Sequence, residues 1–383
     1  MHFTTSALGA FTLLSLVSAA PLAAKRDAQN TPTWENLPPT STGPQGTPSA
    51  VTFPLPNGFP NIQNPSDALT QIELQAHGTL PNGAPPPSLN PDDLTSLRLI
   101  AFNELFEVFF FTELLQNVTN SVPGYEIRDQ RLKQQLITEL TAVVAQEELH
   151  ALNANGALAH FNAGPIQAAQ YKAGVSDLKS AITLASTFTD VVLGTLQDVI
   201  VKLGLNGDAA LSRGIASVVG QEGEQNGFYR SLLGKLPSAL PFLTASTREF
   251  AFSALNQNFV IPGTSPNIDT IDLPIFGVLN VLTDNIQPQD QTLQFSFATT
   301  SETTSAEGLS LVYINQQNIP IVQAITGAQT QNGVITFSAQ FPFTENELNG
   351  LTIAAVTKGS GPFASVDDVA NATLFGPGLI EVN

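Results

Sequence analysis

Residues 90–118 read NPDDLTSLRLIAFNELFEVFFFTELLQNV and predict a long helix. Asn90 suits the helix cap, Pro91 suits the first helical position, and acidic residues occupy the first turn. Apolar residues then run around almost the whole helix, so that it lacks a polar face and should be buried on most sides. Glu104 and Glu107 nevertheless lie one turn apart within it. Because buried carboxylates are costly unless paired, hydrogen-bonded or bound to a cation, these acids require partners from other helices.

Three further long helices are predicted, at about residues 129–160, 176–203 and 208–236. The connections contain the helix breakers GPIQ, LGLNGD and LPSALP. Four long helices joined by short or moderate connections indicate an antiparallel bundle. A fifth helix is predicted within residues 244–259, where it would cap the bundle.

Beyond about Val260 the apolar pattern changes to the period of two that is typical of strands. Five segments show it, TLQFSFAT, LSLVYIN, IPIVQAI, VITFSAQF and LTIAAVTK, and Asn332-Gly333 provides a hairpin turn. These features predict a small β-sandwich. We therefore expect an α+β multidomain chain, with a helical bundle at residues 92–260 and a β-rich, sandwich-like domain at residues 261–383.

The N-terminal part of the chain predicts secretion. Residues 1–20 have the apolar core and small residues of a cleaved signal peptide, and residues 21–26 form a short propeptide that ends in Lys25-Arg26. Residues 27–91 are a Pro-rich arm with one short helix, in SDALTQIELQAHG. We expect an extracellular or cell-wall glycoprotein with sequons at Asn117 and Asn371.

Charge and cysteine content limit the function classes. The chain has 383 residues, a formal net charge of −18 and no cysteine, which excludes thiolate metal sites and cysteine nucleophiles. An acidic surface repels nucleic acid and anionic membranes, and no later stretch has the length of uncharged apolar residues that a membrane span needs. Expected partners are therefore cations, cell-wall components or other proteins.

Two other segments place ligand-type residues one turn apart on helices. AQEELHAL, residues 145–152, has Glu147 three positions before His150, a spacing at which both side chains can reach one cation. QEGEQNGFYR, residues 221–230, has Glu222 three positions before Gln225.

With these motifs and NELFEVFFF, the chain resembles the ferritin-like superfamily, and more narrowly the secreted fungal ferritin-like proteins linked to stress response or late sexual development. The resemblance covers the bundle, and the arm and β-rich tail are similar to the fungal subgroup. The family's two-metal site takes one Glu from each of two helices and Glu-x-x-His from each of the other two.

The resemblance implies a site in which one metal position is complete and the other is not. Glu104, Glu147, His150 and Glu222 match the ligands of the first metal. Gln225 stands where the second His is expected, and Thr189 where the third helix should supply its Glu. Asp190 is the only neighbour that could compensate, although it is rotated by about 100° around the helix from Thr189. A single Fe, Mn or Zn ion would suit three carboxylates and an imidazole.

The sequence contains no G-x-S-x-G elbow, P-loop or dinucleotide-binding motif. The resemblance implies a stress- or development-associated protein with a degenerate two-metal site, read first as a metal-free polar core that shares protons, and no catalysis. Two alternatives remain: a mononuclear metal-binding or redox protein, and a binder of cell-wall polymer or a protein partner through the β-rich domain. Against the last, alternation predicts that its aromatic residues face the core, namely Phe295, Phe297, Tyr313, Phe337 and Phe341.

Four other ionisable residues have simpler interpretations. Glu107, Glu139 and Glu148 are expected to be hydrogen-bonded or solvated acids rather than ligands. His160, near the end of its helix, should interact with the helix dipole.

Overall fold

A computed structural model describes residues 51–383 of the chain. The expected signal peptide, the propeptide and the first part of the Pro-rich arm lie outside these residues. The described part is α+β. Its helices are α1 (Asp67–Ala76), α2 (Pro91–Asn120), α3 (Gln130–His160), α4 (Leu178–Asn206), α5 (Ser212–Leu232), α6 (Arg248–Asn258), α7 (Phe343–Asn346) and α8 (Val366–Ala372).

Eight strands form two antiparallel sheets of four in the described residues. They are β1 (Asn280–Val281), β2 (Gln291–Ala298), β3 (Leu309–Asn315), β4 (Ile321–Ala324), β5 (Thr326–Gln331), β6 (Val334–Phe341), β7 (Gly350–Lys358) and β8 (Thr373–Val382). One sheet has the order β1-β2-β6-β5 and the other β4-β3-β7-β8.

The helix α2 is the centre of the helical part, as its sequence predicts. Asn90 caps it by accepting a hydrogen bond from the Asp92 backbone N at 3.0 Å, and Pro91 is its first residue. From Leu99 to Thr112 every residue is buried, and phenylalanine rings of this helix pack against Phe188 of α4 and against Phe259. Burial on all sides explains why the helix can do without a polar face.

The helix α6 links α2 to α4 through a buried arginine. Arg248 donates to Asp92 Oδ1 at 2.8 Å and to Ser96 Oγ at 2.9 Å, while its backbone N donates to Asp198 Oδ2 at 3.1 Å. The predicted fifth helix is therefore present and fastens two helices of the bundle to each other.

The described part of the arm lies along α3 of its own chain. The helix α1 packs on α3 through Leu69, Ile72 and Ala76. Asn57 Nδ2 donates to Glu148 Oε1 at 2.8 Å, and His160 Nε2 lies 3.3 Å from the Pro86 carbonyl oxygen. The short helix predicted at residues 66–78 is confirmed, with Ser66 as its cap and His77 in the left-handed conformation that ends it.

The two sheets face each other across an aromatic core. The Phe297 and Phe375 rings, one from each sheet, stack at 4.1 Å, and all five aromatic residues predicted to face the core are buried. The opposite face of the β4-β3-β7-β8 sheet joins the core of the helical part through Val312, Ile314 and Ile353. This face of the sheet therefore shares an apolar core with the helices, and the two sheets enclose a second core between them.

The long predicted helices and all five predicted strands are present, but three strands were missed. The strand β1 has only two residues, and β5, TGAQTQ, is exposed throughout and shows no alternation. The strand β8 contains Gly376-Pro377, a pair that reads as a break. The helix α5 begins at Ser212 rather than near Asp208, after a short 3-10 turn at Ala209–Leu211, and ends at Leu232 rather than near Leu236. Asp208 Oδ2 accepts a hydrogen bond from the Asn90 backbone N at 2.8 Å.

One described helix, α4, is long and apolar enough to cross a membrane by length and composition. However, 72% of its most apolar window is buried inside the fold. This burial accounts for its apolar character without a bilayer.

Candidate metal site

Four side chains predicted as ligands converge in the middle of the helical part. Glu104 comes from α2, Glu147 and His150 from α3, and Glu222 from α5, and one ligand atom from each lies within 4.8 Å of all the others. His150 Nδ1 lies 2.9 Å from Glu147 Oε2, 3.5 Å from Glu104 Oε2 and 3.8 Å from Glu222 Oε1. The three carboxylates are at most 1% exposed, whereas the His150 side chain is 16% exposed.

Several carboxylate oxygens of this group lack a hydrogen-bond partner among the described residues. Both oxygens of Glu222 and Oε2 of Glu104 are buried in this condition. Desolvation of such atoms is costly unless a proton or a cation compensates it. The group is therefore able to hold a metal ion.

The raised pKa values in the cluster indicate that its buried carboxylates favour the binding of protons or of another cation. Burial, followed by repulsion from Glu147 and Glu104, holds the pKa of Glu222 well above its usual range. Burial also raises the pKa of Glu104 to about 7, although His150 opposes the shift. For His150 itself burial favours the neutral form, but the nearby carboxylates outweigh it and hold the pKa well above 6.5. Without a cation the cluster therefore binds protons at neutral pH.

Gln225, which stands where the resemblance predicts a second histidine, is hydrogen-bonded to the cluster. Its Nε2 donates to Glu147 Oε1 at 2.6 Å, and its Oε1 accepts from the Tyr229 hydroxyl at 3.2 Å. An amide N–H cannot ligate a cation, and it occupies an oxygen that would otherwise be free to bridge two ions. The residue that replaces the expected histidine thus orients Glu147 towards a single position.

The third helix supplies no carboxylate to the cluster. Thr189 is fully buried and its hydroxyl has no hydrogen-bond partner among the described residues. Asp190, the neighbour considered as a replacement ligand, has other partners: its Oδ1 accepts a hydrogen bond from Asn226 Nδ2 at 2.9 Å, and it interacts with Glu381 of β8. The possible compensation by Asp190 is therefore absent, because the rotation between adjacent helical residues directs it to another part of the core.

Glu107 lies closer to the cluster of ligand-type residues than the sequence analysis predicted. Asn103 Nδ2 donates to its Oε1 at 2.8 Å, so the expected hydrogen bond is present, but Oε2 is buried without one. Burial, and then repulsion from Glu222, Glu147 and Glu104, hold its pKa well above the usual range. The i, i+3 spacing from Glu104 was the available signal. Glu107 is a fourth carboxyl beside the cluster, outside the group of four.

The remaining acids and the second histidine are placed as expected. Glu148 is buried and hydrogen-bonded by Asn57, with a pKa raised by burial to about 7, and Glu139 is exposed. His160 is the last residue of α3. Of the two sequons, Asn371 is exposed on α8 and Asn117 is half-buried near the end of α2.

Comparison with known proteins adds no family. No protein-family model matches the chain, and no curated protein matches it.

Proposed function

We propose that this protein binds one divalent transition-metal ion through Glu104, Glu147, His150 and Glu222. The observation that carries the proposal is the convergence of these three carboxylates and the imidazole within 4.8 Å of one another, with both Glu222 oxygens buried and without hydrogen bonds among the described residues. Unpaired buried oxygens alone do not single out a metal site, because Glu381 has two of them elsewhere in the described residues.

The donor set limits the kind of ion. Three carboxylates and one imidazole suit Fe²⁺, Mn²⁺ or Zn²⁺, and the absence of cysteine removes thiolate ligands. A bound ion of this class supplies Lewis acidity, and iron or manganese also supplies one-electron chemistry. We propose a single ion because Gln225 and Thr189 replace two ligands of the second position, and Gln225 donates to Glu147.

We further propose that the helical part is a ferritin-like bundle, and that the protein is secreted and acts in stress response or development. The convergence of residues from α2, α3 and α5 on one point supports the first part. The biological setting rests on the resemblance of the motifs and on the sequence of residues 1–26. The buried aromatic residues of the β-rich part offer no stacking surface for a polymer, so we do not place the primary function there.

Metal analysis of the full chain, purified without chelator and then loaded with Fe²⁺, Mn²⁺ or Zn²⁺, tests the proposal. We expect one equivalent of metal in the wild type and in His160→Ala, and a strong loss in His150→Ala. The control histidine lies on the same helix as His150 but at its end. Metal below stoichiometry that is unaffected by His150→Ala would support the metal-free polar core instead.

A further inference from the structure

A large cavity reaches the candidate metal site from the surface of the helical part. It has a volume of about 990 Å³ and lies between residues 53–86 of the arm and the helices α2, α3 and α5. Glu104 and His150 form part of its lining. The volume is at the upper end of the range typical of small-molecule sites.

The walls of the cavity are largely apolar. Typical lining residues are Leu97 and Ile100 of α2, Leu152 of α3, and Ile215 and Val218 of α5, with several prolines from the arm. Its other polar residues are amides, such as Asn155, which binds both backbone polar groups of Ile166 and so fixes the wall there. Glu104 and His150 are the only ionisable residues in the lining formed by residues 51–383.

Small residues leave the solvent side of the cavity uncovered. Gly156 of α3 and Gly214 of α5 are both exposed and both belong to the lining. A Cβ atom added at either would meet nothing within 4 Å. Side chains there could close the entrance, and the sequence has none.

The polar end of the cavity is incomplete. Glu104 is 1% exposed, and its Oε2 has no hydrogen-bond partner among the described residues. His150 is the one member of the cluster with appreciable exposure. The cavity thus borders the cluster at Glu104 and His150, so that a molecule bound in it would reach an ion held there.

We propose that the cavity binds an elongated, uncharged apolar molecule whose hydroxyl or other neutral oxygen donor lies at the end lined by Glu104 and His150. The apolar walls favour a hydrocarbon body. The lining offers no Lys or Arg to pair with an anion, and the adjacent carboxylates would repel one. A cationic head group would compete with the metal for the same carboxylates.

The position of the oxygen donor rests on the proposed metal ion, which would bind it, whereas the hydrocarbon part depends on the cavity alone. The two parts can therefore be tested separately. Binding to the walls is expected with or without metal, and an effect on the ion is expected only when metal is present.

Displacement of the neutral fluorescent probe N-phenyl-naphthylamine tests the cavity. We expect dodecanol to displace the probe saturably from the full chain, and to do so more effectively than dodecanoate with metal bound or removed. Dodecylammonium should compete only in metal-free protein. A lack of displacement by dodecanol, or tighter binding of dodecanoate, would overturn the inference.

Two glycine variants on α5 provide a matched comparison. Gly214 lines the cavity and Gly220 does not, while both are exposed and have open space for a Cβ atom. Gly214→Leu should weaken dodecanol binding by about tenfold, since its side chain displaces about two ligand methylene groups from the wall. Gly220→Leu should leave binding unchanged. Equal effects in both variants would refute this location.

The visible absorption of Co²⁺-loaded protein tests the oxygen donor. Dodecanol should change the cobalt bands, and a hydrocarbon of the same length should not. One equivalent of bound metal without any probe displacement would overturn the cavity inference and leave the proposed function intact. Displacement with the Gly214 and Gly220 contrast but without metal binding would refute the proposed function and retain the apolar site.

Discussion

At the scale of the residue, Glu222 is the member of the cluster whose substitution separates metal binding from core stability most clearly. It is fully buried on α5, neither oxygen has a hydrogen-bond partner among residues 51–383, and its pKa is held well above the usual range. A carboxyl in this state lowers the stability of metal-free protein but strengthens the binding of a cation. The contribution of Glu222 to metal-free stability is therefore unfavourable, whereas its contribution to metal affinity is favourable.

Glu222→Gln should lower metal affinity by at least about tenfold, because a carboxylate ligand is replaced by a weaker amide donor. The same substitution should raise the free energy of unfolding of chelated protein at pH 8, since it removes an acid from the buried cluster. Isothermal titration with Zn²⁺ and urea unfolding measure the two effects. Glu224→Gln, an exposed residue two positions along α5, is the control and should change neither.

A loss of both metal affinity and metal-free stability in Glu222→Gln would contradict this account. That outcome would mean that Glu222 stabilises the core through interactions with its neighbours and that its role is not specific to a bound cation.

The resemblance to the ferritin-like two-metal pattern predicted Glu104, Glu147, His150 and Glu222 as one group, and the structure brings them together. The spacings alone fix only which side chains share a face of the same helix, such as Glu147 and His150. The sequence could not settle Asp190, since a rotation of about 100° can be offset by helix packing that only coordinates reveal. The sequence also did not predict that Glu107 lies beside the cluster, because this depends on how closely α3 and α5 pack against α2.

At the scale of the element, helix packing is limited by close backbone contacts. Gly194 of α4 faces the segment before α6, where an added Cβ atom would clash with the Thr244 carbonyl oxygen and lie 2.9 Å from the Ser246 backbone N. Thr244 in turn donates to the Leu351 carbonyl oxygen of β7 at 2.6 Å. This glycine therefore sets the distance between α4 and the segment that joins helices to strands.

Gly194→Ala should destabilise the protein by about 1–3 kcal/mol, because the methyl group meets backbone that cannot move without disturbing β7. Gly204→Ala on the same helix has open space and should instead stabilise it by up to about 1 kcal/mol through helix propensity. Urea unfolding measures both. Similar effects of the two substitutions would show that α4 does not pack as described.

Tertiary packing also determines which helices and strands could be predicted from the sequence. The helices α2 and α4 and the strands β2, β6 and β7 carry long apolar patterns, so that pattern alone identified them. The strand β5 is exposed, β8 is interrupted by Gly376-Pro377, and both are specified mainly by pairing with neighbouring strands.

At the scale of the whole molecule, buried acids couple stability to pH. Burial raises the pKa of Glu104 and of Glu148 to about 7, and that of Asp198 to about 6. A group with a raised pKa binds more protons in the folded than in the unfolded state, so stability falls as pH rises between the two values. His150, whose pKa is also raised, contributes stability that is lost as pH rises through its folded value.

Metal-free protein should therefore lose stability progressively as the pH increases from about 5 to 8. Metal-loaded protein should lose less, because the ion supplies the positive charge that protons supply in its absence. Thermal unfolding across this range, with and without chelator, measures the difference. If metal-free protein became more stable towards pH 8, the pH dependence of its stability would be opposite to the expected one. That result would contradict the raised pKa values of the buried acids.

Anomalous X-ray diffraction from crystals of the metal-loaded protein, recorded on both sides of the metal absorption edge, locates the bound ion. We expect one peak per chain, in contact with carboxylate oxygens of Glu104, Glu147 and Glu222 and with an imidazole nitrogen of His150. A peak elsewhere, two peaks in the cluster, or none in crystals with stoichiometric metal would refute binding of a single ion by these four residues.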